Sequence, residues 1–164
     1  GCDVLLPPGG AGVKAVVHFV GGAVAGAAPR GAYGALLEVL AGEGCAVVAT
    51  PVPTSVRHGE IAERAAGMFE MAVEELRPTI GYSWLPTIGI GHSLGAKLLA
   101  LLSARERANG SGMPRVVANV LMSYNNPDFN NSVPRDFRSA ASSAAAAASR
   151  AQAAARAAVD RAQA

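Results

Sequence analysis

Aromatic side chains are scarce in this sequence, 5% of 164 residues, so a core has to be built from aliphatic groups. Charge is scarce as well, at 16%, and nearly balanced, with a formal net charge of +2. That balance offers no clustered basic face, and nucleic-acid binding is not expected. There are only two cysteines, Cys2 and Cys45, where a disulfide-stapled secreted domain carries more in a shorter chain. Cys45 opens the run Cys-Ala-Val-Val-Ala and reads as a small hydrophobe, which fits a reducing compartment. No His, Cys or carboxylate pair has ligand spacing, so no metal is expected. Gly-x-Gly-x-x-Gly is absent, which argues against a dinucleotide cofactor. No stretch approaches 18 strongly apolar residues, so no membrane span is expected. The sequence opens at Gly1 without a charged-then-apolar leader.

What is present is an alternation of short β-rich runs and helical periodicity. Asp3 to Leu6 is a short apolar run stopped by Pro7-Pro8, and Lys14 to Val20 is a β-rich run stopped by Gly21-Gly22. Tyr33 to Leu40 places Leu36, Leu37 and Leu40 at helical spacing, and Cys45 to Thr50 reads as the next strand. From about Ser55 to Leu76, the residues Ile61, Ala65, Phe69, Ala72, Val73 and Leu76 repeat every three or four positions, and Pro78 is read as the stop. Pro86 to Ile90 is a strand, Leu94 to about Arg107 a Leu-rich helix, and Val116 to Met122 the last strand. Nearly continuous apolar runs suit strands covered on both faces. The order predicts an α/β fold, a three-layer sandwich around a mainly parallel sheet of about five strands.

After Met122 the character changes. Ser123 to Asp136 is polar and Asn-rich, and from Ser139 the chain is alanine with scattered Ser, Gln and Arg. Residues 1–136 are therefore read as a domain. Residues 137–164 are read as a low-complexity tail, a solvated helix or disorder outside it.

Chemistry concentrates at Gly91-His92-Ser93-Leu94-Gly95. The pattern Gly-x-Ser-x-Gly is weak in a chain with 19 glycines, but here it lies between the β-rich Thr87-Ile88-Gly89-Ile90 and a Leu-rich helix. That is the strand-turn-helix of a nucleophile elbow, which lifts a serine hydroxyl above the sheet. Side chains at Gly91 and Gly95 would collide with the neighbouring elements. The Leu94 N–H, at the positive end of the helix dipole, becomes one donor to a developing oxyanion. The second is expected from Gly21 or Gly22, in the loop after the Lys14–Val20 run.

The run His18-Phe19-Val20-Gly21-Gly22-Ala23-Val24-Ala25-Gly26-Ala27-Ala28-Pro29 resembles a family of plant, algal and cyanobacterial proteins. That family is named only as domain of unknown function 1350, within the α/β-hydrolase superfamily. The resemblance continues through Val48-Ala49-Thr50-Pro51, Gly89 to Ala96, and Asn119 to Asn126, and covers roughly residues 3–134. It implies an α/β-hydrolase-like fold, a serine at the elbow, and a chloroplast or cyanobacterial cytoplasm as the setting. It supplies no substrate.

One departure from the superfamily pattern matters. Its triad runs Ser, then Asp or Glu, then His. The only histidines here are His18, His58 and His92, so none follows Ser93. The reading is of a partial hydrolase domain, with the superfamily's later strands, acid and base not found in this sequence. Asp128 and Asp136 follow the last strand without a base to orient. His92 is expected to point away from the serine hydroxyl, His18 to orient the oxyanion loop, and His58 to cap a helix or lie at the surface. Two functions remain open at this point. One is a serine hydrolase acting on a small ester or thioester through Ser93, and the other a catalytically inactive binding module. A sheet ending at Val116–Met122 would also expose an apolar edge prone to self-association, though the sequence fixes no oligomeric state.

Overall fold

The computed structural model describes residues 1–10, 12–55, 57–81, 85–109 and 116–124. The expected Asn-rich loop beyond Tyr124 and the Ala-rich tail lie outside the described residues. By its contacts the chain divides into Gly1–Asn126 and Pro127–Ala164, and the described residues all belong to the first unit.

Among the described residues five strands form one sheet: β1 (Asp3–Leu5), β2 (Ala15–Val20), β3 (Cys45–Thr50), β4 (Thr87–His92) and β5 (Val116–Met122). Their spatial order is β1-β3-β2-β4-β5. β2, β3, β4 and β5 run parallel, and only β1 is antiparallel, to β3. Among the described residues the α-helices are α1 (Pro29–Gly42), α2 (His58–Ile80) and α3 (Leu94–Asn109).

The pleat sorts β2 between two cores. Val17 and Phe19 face α1 and pack with Leu37, Ala41, Val47 and Ile90. Val16 and Val20 face the other way, where Phe69 and Val73 of α2 and Leu98 and Leu99 of α3 cover them. β2 and β3 are therefore buried along almost their whole length, which explains their unbroken apolar sequences. β5 differs. Its sequence is as apolar as theirs, yet it lies at the sheet edge with Val117, Val120 and Leu121 exposed.

Element boundaries moved where capping differs from the expected signals. α1 begins at Pro29 rather than Tyr33, because a proline at the first helical position gives up no intrahelical bond. No side chain caps it locally. Instead, the Asp3 carboxylate of β1 accepts the Arg30 N–H at 3.1 Å. α2 runs past Pro78 to Ile80, since a proline so near the exposed end forfeits a single backbone bond. Gly81, at φ 63°, makes the actual stop and donates its N–H to the Arg77 carbonyl.

The consequence for function lies in the β2–β4 register. Val20 pairs with Gly91 in parallel, so the chain leaves both strands at the same level. The Gly21-Gly22 loop and the His92-Ser93 turn thus emerge side by side at the carboxyl end of the sheet. In open α/β sheets this is where ligands bind.

Candidate active site

Ser93 follows the last residue of β4 and precedes the first of α3. Its φ is 53°, a left-handed conformation that a non-glycine residue adopts at a cost of roughly 1–3 kcal/mol. Its own N–H is donated to the Met122 carbonyl at 2.9 Å, which ties the turn to β5. Its hydroxyl makes no hydrogen bond among the described residues and is half-buried. Ser93 thus combines a left-handed backbone with a hydroxyl that has no partner among the described residues.

The flanking glycines are steric requirements. A Cβ on Gly95 would fall 1.9 Å from the Val20 carbonyl oxygen, and one on Gly91 would fall 2.6 Å from the Ala96 nitrogen. Their smallness lets the first turn of α3 sit directly on the end of β2. Leu94 is the first residue of α3 and so stands in that turn. A Cβ on Gly22 would lie 3.3 Å from the Ser93 Cβ and 3.1 Å from the His92 Nδ1, so that loop borders the serine.

The loop has spent most of its donors. The Gly22 N–H is donated to the Tyr33 hydroxyl at 2.9 Å, and the Val24 N–H to Thr54 Oγ1 at 2.9 Å. The Ala25 N–H goes to the Ala23 carbonyl at 2.8 Å and the Gly26 N–H to the Gly22 carbonyl at 2.6 Å. Among the described residues this leaves the N–H groups of Gly21 and Ala23. Gly22 therefore lines the site, but its donor is already engaged.

The Ala25-to-Ala23 bond closes a three-residue turn around Val24, whose φ is 67° and ψ −65°. This γ-turn is rare and strained, the more so for a β-branched residue. The strain of about 1–3 kcal/mol offsets the roughly 1 kcal/mol expected from a half-buried valine side chain together with the about 0.4–1 kcal/mol by which glycine's freedom favours the unfolded chain. Val24→Gly should consequently leave the urea midpoint close to that of the parent. A clear drop in the midpoint would show that the turn carries less strain than this.

The histidines divide. His92 is half-buried, with Nδ1 3.0 Å from the Tyr33 hydroxyl and its ring 5.7 Å from that of Tyr33. His58 is the first residue of α2 and half-buried. The expectation that His18 orients the oxyanion loop is corrected. His18 shares the α2 face with Val16 and Val20, bonds Thr50 Oγ1 through Nε2 at 3.2 Å, and stacks on Phe69 at 4.1 Å and 14°. It is a core residue, and burial lowers its pKa from 6.5 to about 3, keeping it neutral. Asp128 and Asp136 lie outside the described residues.

The depressed His18 pKa has a thermodynamic consequence with a definite sign. Below pH 6.5 the unfolded chain binds a proton that the folded chain refuses, so stability is full above that pH and is lost as pH falls towards 3. One such proton contributes a slope of up to about 1.4 kcal/mol per pH unit. His18→Gln should flatten the pH dependence of urea unfolding between about pH 6 and pH 4 by a similar amount. Equal slopes in the two proteins would mean that His18 takes up its proton while folded.

Tyr33 and Val24 are the site residues that sequence reasoning missed. Tyr33 was visible only as the start of a helical run. Its one signal was a phenol near a Gly-Gly loop, since a partly buried tyrosine hydroxyl generally finds a partner.

The family model described as protein of unknown function (DUF1350) matches residues 1–150, and the chain belongs to that family. No curated protein matches it. Among solved structures it is similar to a bacterial heroin esterase, with a TM-score of 0.58 and 18% identity over 76% of this chain and 39% of that one. It thus spans about two-fifths of the length of that esterase. A weaker similarity is to the protein TT1662 from Thermus thermophilus, with a TM-score of 0.40 and 24% identity over 62% of this chain and 46% of that one. With the parallel sheet flanked by helices, the esterase likeness identifies the fold as α/β-hydrolase-like.

Proposed function

We propose that this member of the family carries the nucleophile half of a serine acyl-transfer site, acting on a small ester or thioester. The observation that carries this reading is Ser93 itself, a non-glycine residue at φ 53° between β4 and α3 with its hydroxyl unpartnered among the described residues. In the reaction, Ser93 Oγ attacks the acyl carbon while a base takes its proton. The acyl C–O or C–S bond then breaks, and the departing alcohol or thiol takes that proton. Water subsequently hydrolyses the acyl-serine. The Leu94 N–H faces the developing oxyanion from the first turn of α3. With the Gly22 N–H held by Tyr33, Gly21 is the loop residue that joins it.

The base is the part for which the described residues offer no candidate in place. None of the three histidines hydrogen-bonds the Ser93 hydroxyl. The similarity of an esterase in fold supports the reading without naming a substrate, because folds host many activities. A plastid or cyanobacterial setting rests on the motif resemblance and is tested by locating a tagged chain. The chemistry is tested by active-site labelling with a fluorophosphonate. The probe should attach at Ser93 and at no other serine, as read by peptide mapping.

A further inference from the structure

Three groups from three separate elements meet at one atom. The Tyr33 hydroxyl of α1 accepts the Gly22 N–H of the loop after β2 at 2.9 Å, and it lies 3.0 Å from Nδ1 of His92 in the elbow. The tyrosine ring is anchored below, tilted at 60° against the fully buried Phe19 at 4.9 Å. Its edge also covers Gly21, where an added Cβ would come within 2.7 Å of Tyr33 Cε2. One side chain therefore packs on the first glycine of the loop, bonds the second, and holds the residue next to Ser93.

We propose that Tyr33 is a positioning residue of this site. It holds the Gly21-Gly22 loop at a fixed height against the elbow and sets the imidazole of His92 through a single shared hydroxyl. The inference rests on the reading of Ser93 as nucleophile. The Tyr33 oxygen uses one lone pair on the Gly22 N–H. It then either donates its own proton to His92 Nδ1 or accepts one from it, so the tautomer of His92 and the orientation of the Gly22 peptide are coupled. With that peptide fixed, the loop is held in advance in one arrangement around the oxyanion position. Preorganisation of this kind is where oxyanion stabilisation gets its strength.

A purely packing role for Tyr33 would need the ring alone. Tyr33→Phe keeps the ring against Phe19 and over Gly21 and removes only the hydroxyl, so the fold should survive. In the full chain, the variant should show at least tenfold faster amide hydrogen exchange at Gly22. It should also show a displaced His92 Nδ1 resonance in nitrogen-15 spectra. The Ser93 N–H, bonded to Met122, serves as the internal reference and should not change. The fluorophosphonate labelling rate at Ser93 should fall about tenfold in a protein that still unfolds in one cooperative step, its midpoint lowered by no more than the loss of the hydroxyl's bonds. His92→Ala provides the second variant, and in it Gly22 exchange should rise less than in Tyr33→Phe because the Gly22–Tyr33 bond persists.

Unchanged Gly22 exchange and His92 resonance in Tyr33→Phe would overturn the proposal. Altered spectra with equal labelling rates would overturn it too, by showing that the link has no bearing on the serine. If neither protein labels even on long incubation, the nucleophile reading fails. The positioning role at a reactive serine then falls with it, whereas labelling of the parent with an unaffected variant removes Tyr33 alone.

Discussion

Gly95→Ala should give little or no folded protein. A Cβ at this position would stand 1.9 Å from the Val20 carbonyl oxygen and 2.7 Å from that of Gly21. Both are backbone atoms, and Val20 is the last residue of β2, paired on each side with β3 and β4. No rotamer change relieves such a clash; either α3 lifts off the sheet or the end of β2 moves. Lifting α3 would uncover Leu98 and Leu99, which are almost fully buried against Val20, Val52 and Ile61. Overpacking of a well-packed site costs typically 1–3 kcal/mol, and a backbone-on-backbone overlap belongs at or above the top of that range. Whole domains are stable by only about 5–15 kcal/mol. Expression with circular dichroism and urea unfolding checks the prediction. Gly67→Ala is the control, because a Cβ there meets nothing within 4 Å and alanine favours the helix. A Gly95→Ala protein as stable as the parent would mean that the first turn of α3 does not rest on β2.

The same clash explains how much of the site could be read in the sequence. Gly-His-Ser-Leu-Gly between a β-rich run and a Leu-rich run specifies a tight strand-to-helix turn, because each of its parts is a local property of the chain. The mainly parallel sheet of about five strands was also legible, because β-rich runs alternate with helical periodicity. What escaped was set by contacts between distant segments. His18 adjoins the Gly-Gly loop in sequence, and that proximity suggested a role there. The two-residue period of β2 places it instead with Val16 and Val20, under Phe69. Tyr33 is eleven residues from Gly22 and fifty-nine from His92, and only the docking of α1 on the sheet brings its hydroxyl to both. The γ-turn at Val24 carries no sequence signal, because valine is a residue that such a turn disfavours. It is held by long-range bonds, Val24 N–H to Thr54 and Val52 N–H to the Gly26 carbonyl. β5 is as apolar as β2 and β3, yet Val117, Val120 and Leu121 are exposed, which shows that an apolar run alone does not say whether a strand is covered.

Ser93 in the 164-residue chain should be a very slow nucleophile, and its reactivity should respond to added base. A serine hydroxyl attacks only weakly until a base within hydrogen-bond reach takes its proton. The described histidines do not meet that condition. His18 is neutral but sealed under α2, bonded to Thr50 and stacked on Phe69. The His92 Nδ1 is turned to Tyr33. His58 does not bond the serine, whose hydroxyl has no partner among the described residues. In a serine protease, loss of the histidine alone removes about 10⁶-fold of the rate and leaves what binding and the oxyanion hole provide. Fluorophosphonate labelling of the chain should accordingly take hours rather than seconds, and ester turnover should be undetectable above the buffer rate. Imidazole added to the buffer should accelerate labelling, because a small base can reach a half-buried hydroxyl that has no partner among the described residues. Ser93→Ala should abolish labelling with or without imidazole. Rapid labelling without imidazole would defeat the prediction and show that a group of this chain acts as the base. His92→Ala and His58→Ala would then separate the two histidines outside the core. Labelling that survives Ser93→Ala would remove Ser93 from the chemistry altogether and leave its strained φ of 53° as a feature of the turn alone.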